Sequence, residues 1–386
     1  MKIPQLKKKS EIKKCHNISW EDNYSWIHQK DILEVLKDSK KLNPEVRKYL
    51  EEENSYAQFH LSDTKKIQKV LFNEIKGRIK LDDESLPYKD YNYEYWEKTT
   101  KEGNYSIKLR KKVNTNIVEE IWNGDKEKEK LNVEYFGVGD LSVSFNDKLF
   151  GYSLDTKGSE YYTIHIRDIK TNKLIRKMKT LTLKELGDLM KLSPQLSDLN
   201  YQRYQLMGDP SNEISKAAEA FNGEVYTGLD FSSFSPKSLN SAQEKLRILS
   251  GLYGILKPDT IIEPYRLEMG TKLNIEESKN LYDFWGEDIL HFLESEESET
   301  IVNLASTEYS KAAKLKQFRG AVITPHFKEF KNGEYKIIMM YAKKARGTMA
   351  NWIIKNDINK ANEIKNFTED RYLYNEGLSS DQDWVF

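Results

Sequence analysis

The hydrophobic period of this chain changes twice. Residues 28–76 place apolar side chains at helical spacing, the stretch from Pro87 to Ile169 alternates, and helical spacing returns from Leu181. Helices, then many short strands, then helices again do not describe one layered core, and 386 residues are more than one ordinary core holds. Two domains are expected, 1–178 and 179–386. The join is expected within 168–193, DIKTNKLIRKMKTLTLKELGDLMKLS, where a strand over 164–169 is followed by a polar turn at 170–173 and then an amphipathic helix. No Gly, Pro or linker composition separates them, so a seam between Ile175 and Leu181, of the kind a gene fusion leaves, is expected.

Local signals are clear in the first half. NPEVRKYLEEENSYAQF opens with Asn43 as N-cap and Pro44 at the first helical position. DTKKIQKVLFNEIKGRI puts Ile67, Val70, Leu71 and Ile75 on one face, with Asp63 as its expected cap. KDYNYEYW then alternates as a half-buried strand, and SIKLRKK, IVEEIW, LSVSF, LFGYSL and YYTIHIRDI read as further strands. Turns are expected at 102–104, 123–125 and 146–147. Short strands at this spacing predict a sandwich, barrel or propeller.

The segments DNYSWIHQKD, NPEVRKYLEEENSY, LFNEIKGRIKLDDESLPYK and YFGVGDLSVSFNDKLFGYSLDTKGSEYYTIHIRDIKTNKLI resemble, in order, the start of the prolyl oligopeptidase family, oligopeptidase B in particular. The resemblance covers about residues 3–175. It implies N-terminal helices that lean on a hydrolase domain and the first blades of an antiparallel propeller that stays incomplete. Serine peptidases of this kind need a G-x-S-x-G elbow, and the chain has none. Gly151-Tyr152-Ser153 lies in a strand without the second half of that motif, and His165 reads as a strand residue. Peptide hydrolysis is not expected. Gly137-Val138-Gly139 lacks the third glycine of a dinucleotide loop.

In the second half, FNGEVYTGLD, LSGLYGILKP, PYRLEMGTKL, LYDFWG, NLASTEYSK and YAKKARGTMANWII resemble the YaaA family of peroxide stress resistance proteins, in that family's order and over about 180–386. Strands are expected at IVNLAS, AVITPHF and YKIIMMYAK, the last two joined through Asn332-Gly333. The fold expected overall is mixed: N-terminal helices and partial antiparallel propeller blades, then an α/β domain. The resemblance implies a cytoplasmic protein that binds DNA and limits damage from free iron, with no catalytic mechanism and no cofactor. The family's opening strand, close to I-S-P-A-K-T-L, has no counterpart before Leu181.

Candidate contacts to double-stranded DNA follow from chemistry and resemblance together. LRILSGLYGILKP reads as a helix-hairpin-helix, with Gly251, Tyr253 and Gly254 in the turn and Lys257 after it. Its free backbone N–H groups would meet phosphate. TIVNLASTEYSKAAKLK reads as strand, turn and helix, with Asn303, Ser306 and Tyr309 at the helix start and Lys311 and Lys314 beyond. A helix N-terminus attracts anions, although an ordinary cap gives the same pattern. Arg266, Glu268 and Lys272 in PYRLEMGTKL read as a cleft or as an ion pair. Lys343, Lys344 and Arg346 read as a basic cluster where a strand gives way to the last helix. A second expectation uses Arg266, Glu268, Ser306, Tyr309 and Lys343 to hold a nucleotide or another phosphorylated small molecule.

Bulk numbers set limits. Lys and Arg number 35 against 30 Asp and Glu over 1–178, and 26 against 31 over 179–386, so DNA contact needs a local patch. The one cysteine, Cys15, forms no internal disulfide and fits a reducing cytoplasm. No apolar run is long enough for a membrane helix, and the basic N-terminus lacks the apolar stretch of a secretory signal. No C-x-x-C or H-E-x-x-H occurs, and pairs such as His291 and Glu294 are too few to hold a metal.

Overall fold

The computed structural model describes residues 1–209, 211–296 and 298–386. It divides into two compact units, Met1–Ile169 and Lys170–Phe386.

The first unit opens with an antiparallel hairpin, Glu11–Cys15 with Ile18–Asp22, which the sequence did not signal. Helix Pro44–His60 starts as expected, with Asn43 accepting from the Glu45 backbone N–H at 2.9 Å. Asp63 is not a cap: it lies inside the turn Ser62–Thr64, and helix Lys65–Gly77 follows Thr64 directly. KDYNYEYW is two strands rather than one. Tyr91 takes a positive φ of 45°, and the chain folds back so that Tyr88–Asp90 pairs with Tyr93–Thr99. Tyr93–Thr99, Ile107–Lys112 and Val118–Asn123 form an antiparallel sheet. A second sheet holds Gly137–Val143, Leu149–Asp155 and Thr163–Asp168 in the order third, second, first. The expected turn at 123–125 instead begins helix Gly124–Leu131, because the Asn123 side chain accepts from the Lys126 N–H. Tyr95, Ile121, Trp122, Phe136, Phe150, Leu154 and Ile169 form the core. The two sheets do not close into a ring. Strand Thr163–Asp168 is an edge, with Ile164 and Ile166 exposed.

The second unit begins inside the stretch read as a polar turn. Residues 170–173 belong to helix Ile169–Lys179, and their lysines are anchored rather than solvated. Lys170 donates to the Phe284 carbonyl at 2.7 Å, and Lys173 pairs with Glu276 at 3.1 Å. Leu174 and Met178 are fully buried in the core of this unit. The boundary therefore lies at 169/170, N-terminal to the expected 178/179. Helix Leu183–Met190 follows, opened by a capping box between Thr182 and Glu185, then helix Pro194–Leu206, capped by Ser193.

The sheet of this unit is small and parallel: Thr300–Val302, Ala321–His326 and Asp383–Val385, in that order. The Asn332-Gly333 hairpin is present, both residues at positive φ between strands Glu329–Lys331 and Glu334–Lys336. YKIIMMYAK is not one strand. Pairing stops at Lys336, and helix Met339–Lys355 starts three residues later, placing Ala342, Ala345, Met349 and Ile354 inward. Trp285 is core, packed with Leu252 and Met269.

Candidate functional site

GLYG does not form a helix-hairpin-helix. Strands Ile248–Ser250 and Gly254–Leu256 pair antiparallel, and Gly251, Tyr253 and Gly254 make the turn between them. The reason is packing. Gly254 takes φ +72° beneath the Trp285 ring, where a β-carbon would stand 2.8 Å from the indole, and Gly251 lies against the Leu267 carbonyl. The turn is occupied by internal bonds: Trp285 Nε1 donates to the Gly251 carbonyl at 3.0 Å, and the Tyr253 N–H donates to Ser250 Oγ at 2.8 Å. It is not an open phosphate cradle.

Several candidate cations face carboxylates. Lys257 lies 3.9 Å from Glu296, and Lys314 is 3.3 Å from Glu287. Arg266 pairs with Glu268 at 2.8 Å on the surface, so the ion-pair reading of that stretch holds. Lys311 sits over the Tyr282 ring at 4.9 Å, and Lys272 is exposed. Lys343, Lys344 and Arg346 are not at a strand end; all three lie within helix Met339–Lys355. Lys344 is 3.8 Å from Asp370, and Lys343 is exposed.

Asn303, Ser306 and Tyr309 follow the C-terminal end of strand Thr300–Val302. This is the end where parallel sheets receive ligands. The Asn303 N–H donates to the Ile323 carbonyl at 2.7 Å, and its side chain bridges Thr324 Oγ1 and the Ala305 N–H, each at 3.3 Å. Ser306 occupies the N-cap position, but its side chain makes no capping bond among the described residues. The helix it opens, Thr307–Ala312, is short, and its first turn carries Glu308, whose carboxylate accepts from the Gly270 N–H at 2.8 Å. A negative charge there opposes the anion site expected from the helix N-terminus.

Around this loop stands a group that sequence spacing did not reveal. Tyr265 shares a 2.5 Å hydrogen bond with Ser250 and meets the Tyr253 ring edge-on at 5.3 Å, and Tyr204 and Tyr309 pack in the same core. Tyr226 packs with Tyr253 and Tyr265 in the adjoining cluster. Burial raises every one of these phenols: Tyr253 and Tyr309 to about 12, and Tyr204, Tyr226 and Tyr265 well above their ordinary value. At neutral pH they are uncharged and able to donate hydrogen bonds.

Arg346 is the cation without an internal match. It is half-buried, burial pushes its guanidinium below the usual range, and no acceptor or carboxylate partners it among the described residues. One turn later Ala350 packs into the cluster that holds Tyr226, Tyr265 and Leu304. Among the described residues no three His, Cys, Asp or Glu side chains are grouped as metal ligands, and no helix is long and apolar enough to cross a membrane.

The comparisons with known proteins give two family matches that overlap across the boundary between the units. The family model described as peroxide stress protein YaaA matches residues 152–378. The chain belongs to the YaaA family. Among its YaaA relatives, a UPF0246 protein of Acaryochloris marina is 45% identical over 229 residues, which are 58% of this chain and 91% of that protein. A UPF0246 protein of Colwellia psychrerythraea is 49% identical over 53% of this chain and 82% of its own length. Residues 4–200, which overlap the YaaA match over 152–200, match the prolyl oligopeptidase N-terminal β-propeller domain, so the chain combines a segment of that family with a YaaA domain. The solved structure of oligopeptidase B from Leishmania major is similar at 22% identity and a TM-score of 0.37, over 44% of this chain. The chain spans about a quarter of that enzyme's length, 24%.

Proposed function

We propose that this YaaA-family chain acts in the peroxide stress response by binding duplex DNA with little sequence preference, thereby limiting iron-dependent damage to it. The observation that carries the reading is Arg346: a half-buried guanidinium with no carboxylate partner among the described residues, one turn from the tyrosine cluster. A desolvated cation is costly unless an anion meets it, and a DNA phosphate is such an anion. Exposed Lys343, on the preceding turn, adds charge without an internal competitor among the described residues. Half-buried Tyr226, with a neutral phenol, supplies a donor to phosphate or sugar oxygens. We read the chain as a binder rather than a catalyst.

The test is fluorescence anisotropy of a labelled duplex titrated with the full chain at roughly 50 and 200 mM salt. Binding should weaken steeply with salt, and Arg346→Ala should weaken it about tenfold or more. Salt-independent binding, or an Arg346→Ala variant that binds normally, would refute this reading. Scission of plasmid DNA by ferrous iron and hydrogen peroxide, with and without the protein, tests the protective part.

A second reading places a nucleotide or another phosphorylated small molecule in the same site. It is favoured by the donor-rich, phenol-lined surroundings, which suit a sugar phosphate as well as a duplex backbone. A thermal-shift series with mononucleotides separates the two: a shift with mononucleotides and no duplex binding would support the smaller ligand.

A further inference from the structure

Every residue of helix Lys65–Gly77 is exposed. That is unusual for a helix whose apolar side chains fall on one arc. Ile67 is 58% exposed, Val70 63%, Leu71 48% and Ile75 60%. Helix Pro44–His60, joined to it through the turn Ser62–Thr64, exposes Leu50 by 47%, and Leu61, which caps its C-terminal end, is exposed by 53%. A short helix in water is marginal without tertiary packing of its apolar face, so a partner surface is called for.

We propose that these two helices bind the same two helices of a second copy of the chain. Charge gives the first argument. Residues 65–79 carry five Lys and Arg against Glu74 alone, whereas residues 51–53 are three consecutive glutamates. In a twofold arrangement the basic helix of each copy lies along the acidic helix of the other, so one contact is made twice. Exposure gives the second. The six named here, with Ile79, are each about half exposed, and a monomer rarely leaves so many large apolar side chains open on one pair of helices. An anionic lipid surface would suit the basic helix alone. It would also have to accept Glu51, Glu52 and Glu53 on the adjoining helix, which repel it.

The test is sedimentation velocity of the full chain over a concentration series from roughly 1 to 50 μM, the range in which such an interface shows mass action. The expected result is a dimer that dissociates on dilution. Leu71→Glu should raise the dimer dissociation constant tenfold or more with unchanged far-ultraviolet circular dichroism. Leu86→Glu, at a position 90% exposed, should leave it alone. The charge argument has its own variants: Glu51→Lys with Glu52→Lys should weaken the dimer, and adding Lys66→Glu with Lys69→Glu should restore it. A monomer at every concentration, or a dimer that ignores both Leu71→Glu and the charge exchange, would overturn the proposal. So would binding to anionic phosphatidylserine vesicles by a chain that stays monomeric.

Discussion

Gly228 and Gly347 face each other where helices Glu224–Leu229 and Met339–Lys355 cross, each fitted against the other helix's backbone. A β-carbon on Gly347 would collide with the Val225 carbonyl oxygen, and one on Gly228 would collide with that of Lys344. Such a crossing admits no side chain on either surface, and it fixes the part of the long helix that carries Lys343, Lys344 and Arg346.

Gly347→Ala tests this. Alanine raises helix propensity by about 1 kcal/mol, but here the backbone of the other helix must move, and overpacking costs about 1–3 kcal/mol. Urea denaturation should show a net loss of up to about 2 kcal/mol, accompanied by weaker DNA binding as the helix shifts. A more stable variant would show that the crossing yields easily.

Lysines that look alike in sequence should behave differently. Lys343 is exposed, whereas Lys314 is held 3.3 Å from Glu287. Lys343→Gln should lower the slope of log affinity against log salt by about one, the effect of one lost phosphate contact. Lys314→Gln should leave that slope within error. Equal effects would mean that the Glu287 pair opens on binding.

Alkaline pH should report on the tyrosine cluster. A phenol whose folded pKa is about 12 against an unfolded value near 10 holds its proton more firmly when folded. Stability is therefore unaffected below pH 10 and falls as pH rises from about 10 to 12. Tyr309→Phe should flatten that decline. The check is the urea midpoint across this range, together with the near-ultraviolet absorbance of phenolate. A decline as steep as in the parent chain would place Tyr309 outside the buried group.

The first unit should respond at the acid end. The Asp155 carboxylate accepts from the backbone N–H groups of Lys157, Gly158 and Glu160 at 2.8, 3.0 and 2.7 Å. Its burial opposes ionisation, but these bonds prevail and hold it below the usual carboxylate value. The stabilisation is present above about pH 4 and is lost as pH falls through the lower folded value. Asp155→Asn should be less stable than the parent at pH 7, and the difference should shrink as pH falls through the lowered folded value. A constant difference would assign the effect to packing.

Much of this organisation can be read from the sequence. Asn43 with Pro44, and Asn332 with Gly333, are local devices whose geometry depends on the residues themselves, and both appear where expected. GLYG was misread because two glycines permit a turn between helices as readily as between strands. What decides is the Trp285 ring above Gly254, remote from it in the chain. The lysines at 170 and 173 resembled a solvated turn for the same reason: their partners, Phe284 and Glu276, are remote. The tyrosine cluster is drawn from positions 204, 226, 253, 265 and 309, a spacing with no period, so only tertiary folding assembles it.

Helix Ile169–Lys179 begins on the residue after strand Thr163–Asp168 ends, and Leu174 and Met178 on it are fully buried. Anyone dissecting the molecule at the place where its sequence changes character, near 179, would discard two core side chains and leave a hollow that the remainder has no means of filling. A fragment meant to stand alone must start upstream of the helix and take with it residues that resemble the other family. Both family matches run through this helix, so the body the segment folds into is the boundary an expression plasmid must respect.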